Sequence, residues 1–208
     1  MRTPLQNRVL PTGEITSHPA RGTLTGNRGI LHDETGALGT ARWRHPNWVC
    51  CELSYKDRYH GPMPARGWTA LFFLDEAVAL AAGHRPCHQC RHADAGRFRA
   101  AWDRAHGHTA STKEIDKSLH TARTTRARQQ IRYEARADSL PNGTFILSDA
   151  PHLLTTNHAL RYSPHGYTQA LPRPTDTVVV LSPAPMVATL SAGYSPRLHP
   201  SAAAFSSC

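Results

Sequence analysis

The spacing of apolar positions changes character several times along the chain. Over 1–39 the residues are rich in Gly, Pro, Thr and Arg without a sustained apolar period, which predicts irregular structure or short strands wrapped on something else. From Trp43 to Tyr59 the pattern alternates, with Trp48, Cys50, Glu52 and Ser54 on one face and Val49, Cys51, Leu53 and Tyr55 on the other. A period of two predicts a strand. The run Trp68-Thr69-Ala70-Leu71-Phe72-Phe73-Leu74 is apolar enough to be buried. Asp75 can then cap a helix over 76–82 that Gly83 stops.

A second helix is expected over 93–105, with Phe98, Ala101, Trp102 and Ala105 on one face. A third opens with the capping box Ser111-Thr112-Lys113-Glu114 and runs through Ile115, Leu119 and Ala122 toward Ile131. After Leu140-Pro141-Asn142-Gly143, short β-prone runs at 144–147, 152–156, 159–162 and 167–170 predict an antiparallel meander. A strand over 176–181 and a helix over 185–192, ended by Gly193, follow. The reading is an α+β fold with no internal repeat: a metal-stabilised region over 1–138, a small β-rich region over 139–200, and a disordered Ala/Ser-rich tail over 201–208.

Charge adds a partner class. The balance of 24 Lys+Arg against 15 Asp+Glu gives +9, and 21 of those cations are arginine, whose planar fork matches phosphate oxygens. Arg97, Arg99 and Arg104 lie opposite the apolar face of the second helix, and Arg123, Arg126, Arg128, Arg132 and Arg136 crowd the later part of the third. These are a solvated cationic surface or a phosphate-facing one. The pieces Pro19-Ala20-Arg21-Gly22-Thr23 and Gly26-Asn27-Arg28-Gly29 are turn chemistry, as tight turns or as backbone N–H groups offered to a phosphate. No apolar run reaches the roughly 18 residues that span a bilayer, and the polar N-terminus has no secretory h-region. A cytoplasmic protein is expected, in which cysteines are thiols rather than disulfides.

The cysteines carry the chemistry. Pro86-Cys87-His88-Gln89-Cys90 places two thiols at metal-ligand spacing straight after a short helix, because a turn between them lets both face one cation. Cys50 and Cys51 lie upstream. Neighbouring strand residues point to opposite faces, so one of the two is expected to join Cys87 and Cys90. A fourth donor would come from His45, His60, His84, His88 or His92, giving a Cys3His zinc site. Arg85 and Arg91 flank the turn and would meet phosphate first.

The stretch Ala79-Leu80-Ala81-Ala82-Gly83-His84-Arg85-Pro86-Cys87-His88-Gln89-Cys90 resembles the second half of the zinc domain of the Ada family of bacterial DNA-alkylation repair proteins. The likeness runs from roughly Phe72 to Arg91. It implies a four-ligand zinc fold on DNA, in which one zinc-bound cysteine accepts a methyl group from a phosphotriester. Only Cys87 and Cys90 map onto the family pattern. The family's first cysteine pair is separated by three residues, whereas Cys50 and Cys51 are adjacent, so the acceptor is not carried over from the family, and Cys50 or Cys51 is the candidate nucleophile of a methyl-acceptor reading.

Two other classes fit parts of the pattern. Cys50-Cys51-Glu52 followed by Pro-Cys-x-x-Cys has the order of a zinc deaminase, with Glu52 shuttling protons for a zinc-bound hydroxide. The elements disagree, because a deaminase Glu opens a helix and Glu52 sits in a strand-like run. A zinc-stabilised protein-interaction module would bind metal and no nucleic acid. Asp116 and His120, one helical turn apart, could approach a metal together or form a plain surface pair. Tyr162, Tyr167, Tyr194, Trp43, Trp48 and Trp68 could stack on bases or simply fill the core.

Overall fold

The computed structural model describes residues 4–59 and 67–205; His60 and Cys208 lie outside them. The N-terminal half supplies eight short strands: β1 (Gln6–Val9), β2 (Ile15–Ser17), β3 (Leu24–Asn27), β4 (Val49–Glu52), β5 (Ser54–Tyr55), β6 (Arg58–Tyr59), β7 (Leu71–Phe73) and β8 (Arg85–Pro86). Six form one mixed sheet in the order β2-β1-β7-β3-β4-β8, and β5 and β6 make a separate hairpin. Short strands wrapped on other elements are what the Gly- and Pro-punctuated N-terminal sequence allows.

Helix α1 (Glu76–Ala81) follows β7 directly, capped by the Asp75 carboxylate, which accepts from the Val78 N–H. All six of its residues are buried, which its small alanines permit. Gly83 ends it at φ +82°, and a Cβ there would sit 2.4 Å from the Arg123 side chain. The chain then pairs β8 in parallel with β4, aligning Val49 with Arg85 and Cys50 with Pro86.

Helices α2 (His92–His106) and α3 (Thr112–Arg123) complete this half, α3 with the expected capping box. Phe98, Ala101, Trp102, Ile115 and Leu119 pack with Met186, Leu190 and Tyr194 around helix α4 (Ala184–Ser191). The third helix stops at Arg123 rather than continuing toward Ile131. Its apolar stripe has no member between Leu119 and Ile131 except Ala122 and Ala127, and Thr124-Thr125 are β-branched. The chain instead turns, with an isolated bridge between Thr124 and Gln130, and becomes β9 (Tyr133–Arg136).

β9 joins a six-stranded antiparallel sheet in the order β13-β12-β11-β10-β14-β9, from β10 (Phe145–Leu147), β11 (Pro151–Leu154), β12 (His158–Ser163), β13 (Gly166–Pro172) and β14 (Thr177–Val180). The expected meander is its first four strands. One cluster of buried residues draws on both sheets, joining Val9, Leu24, Leu71 and Phe73 to Phe145, Leu153, Leu160 and Leu181. The boundary expected at 138 therefore falls within a shared core. Where composition suggested a disordered tail, Pro200–Phe205 forms a 3-10 turn, with Ala202 buried and the Ser201 hydroxyl accepting from the Tyr167 N–H.

Two buried carboxylates tie the halves together. Asp75 also accepts from the Tyr167 hydroxyl and the His199 N–H. Glu76 accepts from the Tyr194 hydroxyl and from the Arg197 N–H at 2.8 Å, and meets Arg91 at 2.8 Å. Asp75→Ala is expected to cost about 3 kcal/mol in urea unfolding, because it removes a helix cap and strands the Tyr167 hydroxyl.

Candidate metal centre

Strand β4 separates the adjacent cysteines as its pleat requires. Cys50 is fully buried in the shared core, where its sulfur accepts from the Arg91 guanidinium at 3.4 Å. Burial pushes its thiol well above the usual range, so it is a neutral packing group. Cys51 faces the other way. Its sulfur, Cys87 Sγ and Cys90 Sγ all lie within 4.8 Å of one another.

The backbone explains the convergence. Cys87 N–H donates to Cys50 O at 2.9 Å, extending the β4–β8 pairing by one residue, and Arg91 N–H donates to Cys87 O at 3.0 Å, closing the turn. Two thiols therefore arrive beside a third that comes from 36 positions earlier in the chain (87 minus 51). Hydrogen bonds from the Cys51 and Cys90 thiols pull the Cys87 thiol far down, helped by the Cys90 and Gln89 N–H groups. Cys51 is pushed far up by its bonds to Cys87 and Cys90 and by burial. For Cys90 the bond from Cys51 lowers and the bond to Cys87 raises, and the balance is upward. Of the three, Cys87 is the sulfur whose surroundings most favour the thiolate.

The donor set fits a thiophilic ion. Tetrahedral zinc–sulfur bonds of 2.3 Å put sulfurs about 3.8 Å apart, within the spacing these three occupy. A divalent cation would displace the protons the thiols still carry, which is why such sites load poorly in acid. Beside the cluster a cavity of about 530 Å³ is lined by Asn27, Tyr55, Lys56, Trp68 and Gln89 together with the three cysteines. Lys56 and Asp57 form the tip of the β5–β6 hairpin with φ of +50° and +60°, the left-handed geometry that a two-residue turn demands and that glycine usually supplies.

The histidines expected as a fourth ligand are elsewhere among the described residues. His88 and His92 pack on each other with ring centroids 4.5 Å apart and do not join the sulfurs. His84 is buried against Phe73 and Trp48 and accepts from Arg28 Nε at 3.2 Å. The His45 carbonyl accepts from the Trp48 indole. Glu52 lies on the Cys50 face, bonded to Arg197 at 2.7 Å and 3.5 Å from Arg91 Nε, so the proton shuttle a deaminase needs is turned away from the open side of the cluster.

Both arginines flanking the turn are internal. Arg85 holds Asp116 through two 2.8 Å bonds, which also takes Asp116 out of any pairing with His120. Arg91 is enclosed by Glu76, Asp94 and Cys50. Arg123 is buried against Trp48. Arg97, Arg99, Arg126 and Arg128 are exposed; Arg97 pairs with Asp94, Arg99 donates to Ala110 O and Arg128 to Thr40 O. Tyr162, Tyr167, Tyr194 and Trp48 are core residues.

The chain matches no family model, no curated protein and no solved structure. Fold and site together define an α+β protein with a three-cysteine cluster that could hold a metal ion. No helix among the described residues is long and apolar enough to cross a membrane.

Proposed function

We propose that this chain is a zinc-thiolate protein that binds nucleic acid, with Cys51, Cys87 and Cys90 as zinc ligands. The observation that carries the reading is the convergence of three sulfurs on the wall of a cavity that also presents Lys56, Tyr55, Trp68 and Gln89. Three thiolates leave a fourth side open, and the groups facing it suit a polyanion with bases: a cation for phosphate, aromatic rings for stacking, amides for base edges. The excess of +9 and the exposed arginines on α2 and around 126–132 support the same partner, DNA in the first instance. The Ala-rich helix leading into Pro-Cys-x-x-Cys supports it too, through the Ada-type resemblance.

Cys51, Cys87 and Cys90 would hold the zinc as thiolates, a set that would leave the centre with one net negative charge and make a ligand sulfur nucleophilic toward an alkyl carbon. A neutralised phosphotriester can then approach where a phosphodiester is repelled. The cysteine sulfur forms the new S–C bond as the ester O–C bond breaks, and the electron pair stays on the phosphodiester. Each molecule reacts once.

Elemental analysis with native mass spectrometry is expected to find one zinc per chain. Log affinity for a DNA duplex should fall linearly with log salt, at about 0.9 per phosphate contacted. A flat salt response would remove the nucleic-acid part of the reading and leave an interaction module. A protein whose mass gains one methyl group after exposure to methylated DNA would be a methyl acceptor; no gain would make the zinc structural. Lys56→Gly, which relaxes the hairpin tip, is expected to hold or raise stability while lowering DNA affinity and the salt slope by about one contact.

A further inference from the structure

A second cavity, of about 740 Å³, lies on the other side of the β3–β4 region and is lined by Arg28, Arg42, Arg123, Arg128 and Arg132, with Glu14 the acid among its lining residues. Two of these cations are in the core. Arg28 and Arg123 are each 2 % exposed and flank the Trp48 ring at 4.0 and 3.7 Å. Arg28 donates Nε to His84 and Nη1 to Gly13 O at 3.4 Å, and its Nη2 has no partner. Arg123 donates Nη1 to Gly83 O at 2.7 Å and Nη2 to Pro46 O, with His120 Nδ1 also 3.0 Å from Nη2, and its Nε has no partner among the described residues. Neither has a carboxylate within ion-pair distance among the described residues; Asp116, held by Arg85, acts on Arg123 only from farther off. Burial, with Arg42 nearby, pulls the Arg28 guanidinium down to about 9, and burial, with Arg28 nearby, pulls Arg123 down to about 8.

Buried cations without a counter-ion are costly, and here two stand together at the floor of a space whose rim carries three more. Arg85 and Arg91, also buried, are each matched to a carboxylate. We infer that this cavity is a phosphate-binding site, with Arg28 and Arg123 supplying the inner donors and Arg42, Arg128 and Arg132 the outer ones. Guanidinium forks suit the several oxygens and double charge of a phosphate. The volume exceeds one inorganic ion and suits a ligand of mononucleotide size, for which half-buried Trp43 offers an aromatic surface. The inference does not rest on the zinc cluster, since no described residue lines both cavities, although Arg128 and Arg132 also belong to the exposed arginines that support nucleic-acid binding.

The test is calorimetry on the full chain with inorganic phosphate, adenosine 5′-monophosphate, adenosine and a short single-stranded oligonucleotide. The monophosphate is expected to bind, adenosine not, and inorganic phosphate to compete. Arg42→Gln and Arg132→Gln, at the rim, should each weaken the monophosphate about tenfold, and the double variant should lose the rise in melting temperature that phosphate gives the wild type. Arg28→Gln also removes the bond to His84 and can unfold the chain, so the rim variants decide. Cys87→Ser should bind the monophosphate as wild type does, whatever its zinc content. An oligonucleotide that displaces the monophosphate and weakens in the same variants identifies the phosphate as one of a strand; one that does not identifies a free ligand. Monophosphate bound no better than adenosine, or equally by wild type and rim variants, overturns the inference.

Discussion

Cys51→Ser is expected to abolish zinc binding, while its neighbour's variant Cys50→Ala keeps the full metal complement. The two side chains are adjacent in sequence and opposite in direction: one is among the clustered sulfurs, the other in the core against Arg91. Loss of a group that merely orients a ligand costs about 10- to 100-fold in metal affinity, so loss of a ligand itself should exceed about a hundredfold. Cys87→Ser and Cys90→Ser should behave as Cys51→Ser does. Cys50→Ala removes one buried heavy atom and should cost about 1 kcal/mol of stability without touching the metal. Zinc content after purification under reducing conditions reads both effects at once. Retention by Cys51→Ser, with loss in Cys50→Ala, would mean that the sulfurs are paired differently from the arrangement described.

Arg91→Met is expected to destabilise the fold by about 3 to 5 kcal/mol in urea unfolding, the largest loss among the arginine variants. The Arg91 side chain is wholly enclosed, and so is the Glu76 carboxylate it meets at 2.8 Å. Removing the cation leaves that carboxylate with the Tyr194 hydroxyl and the Arg197 N–H and no ion-pair partner among the described residues. The double variant Arg91→Met, Glu76→Gln should recover a large part of the loss, since a neutral amide tolerates the site far better than an unpaired anion. Additive losses would show that Arg91 acts through packing on Cys50 and the start of α2 instead. Because Arg91 follows Cys90 directly, zinc content has to be measured alongside.

Alternation over 48–55 foretold that Cys50 and Cys51 part company, and the turn spacing foretold that Cys87 and Cys90 act together. Choosing Cys51 needed the register of β4 on β8, which is a long-range fact with no local trace. Helices α1 to α4 were legible because caps and stop glycines are written locally, as at Asp75, Gly83 and Ser111. The capping box and apolar positions carry the third helix toward Ile131 with no glycine or proline to stop it at Arg123; the strand that follows at Tyr133–Arg136 pairs with β14 some 40 residues on, and that pairing is tertiary. The arginines divide the same way. Composition cannot distinguish Arg85, locked to Asp116, from Arg126 in solvent, and the turn Gly26-Asn27-Arg28-Gly29 hinted at phosphate without showing that Arg28 ends buried beside Arg123.

The parallel pairing of β4 with β8 also has a kinetic meaning. Cys51 meets Cys87 only after β5, β6, β7 and α1 have been laid between them, so the three sulfurs cannot gather in an early, local encounter. A metal captured by a chain whose first sheet is already assembled would make contacts that are absent from the folding transition state. Interactions made that late leave the rate of folding nearly untouched and slow the reverse step. Zinc should therefore act as a latch on an already folded protein, lengthening its lifetime against unfolding rather than hastening its birth.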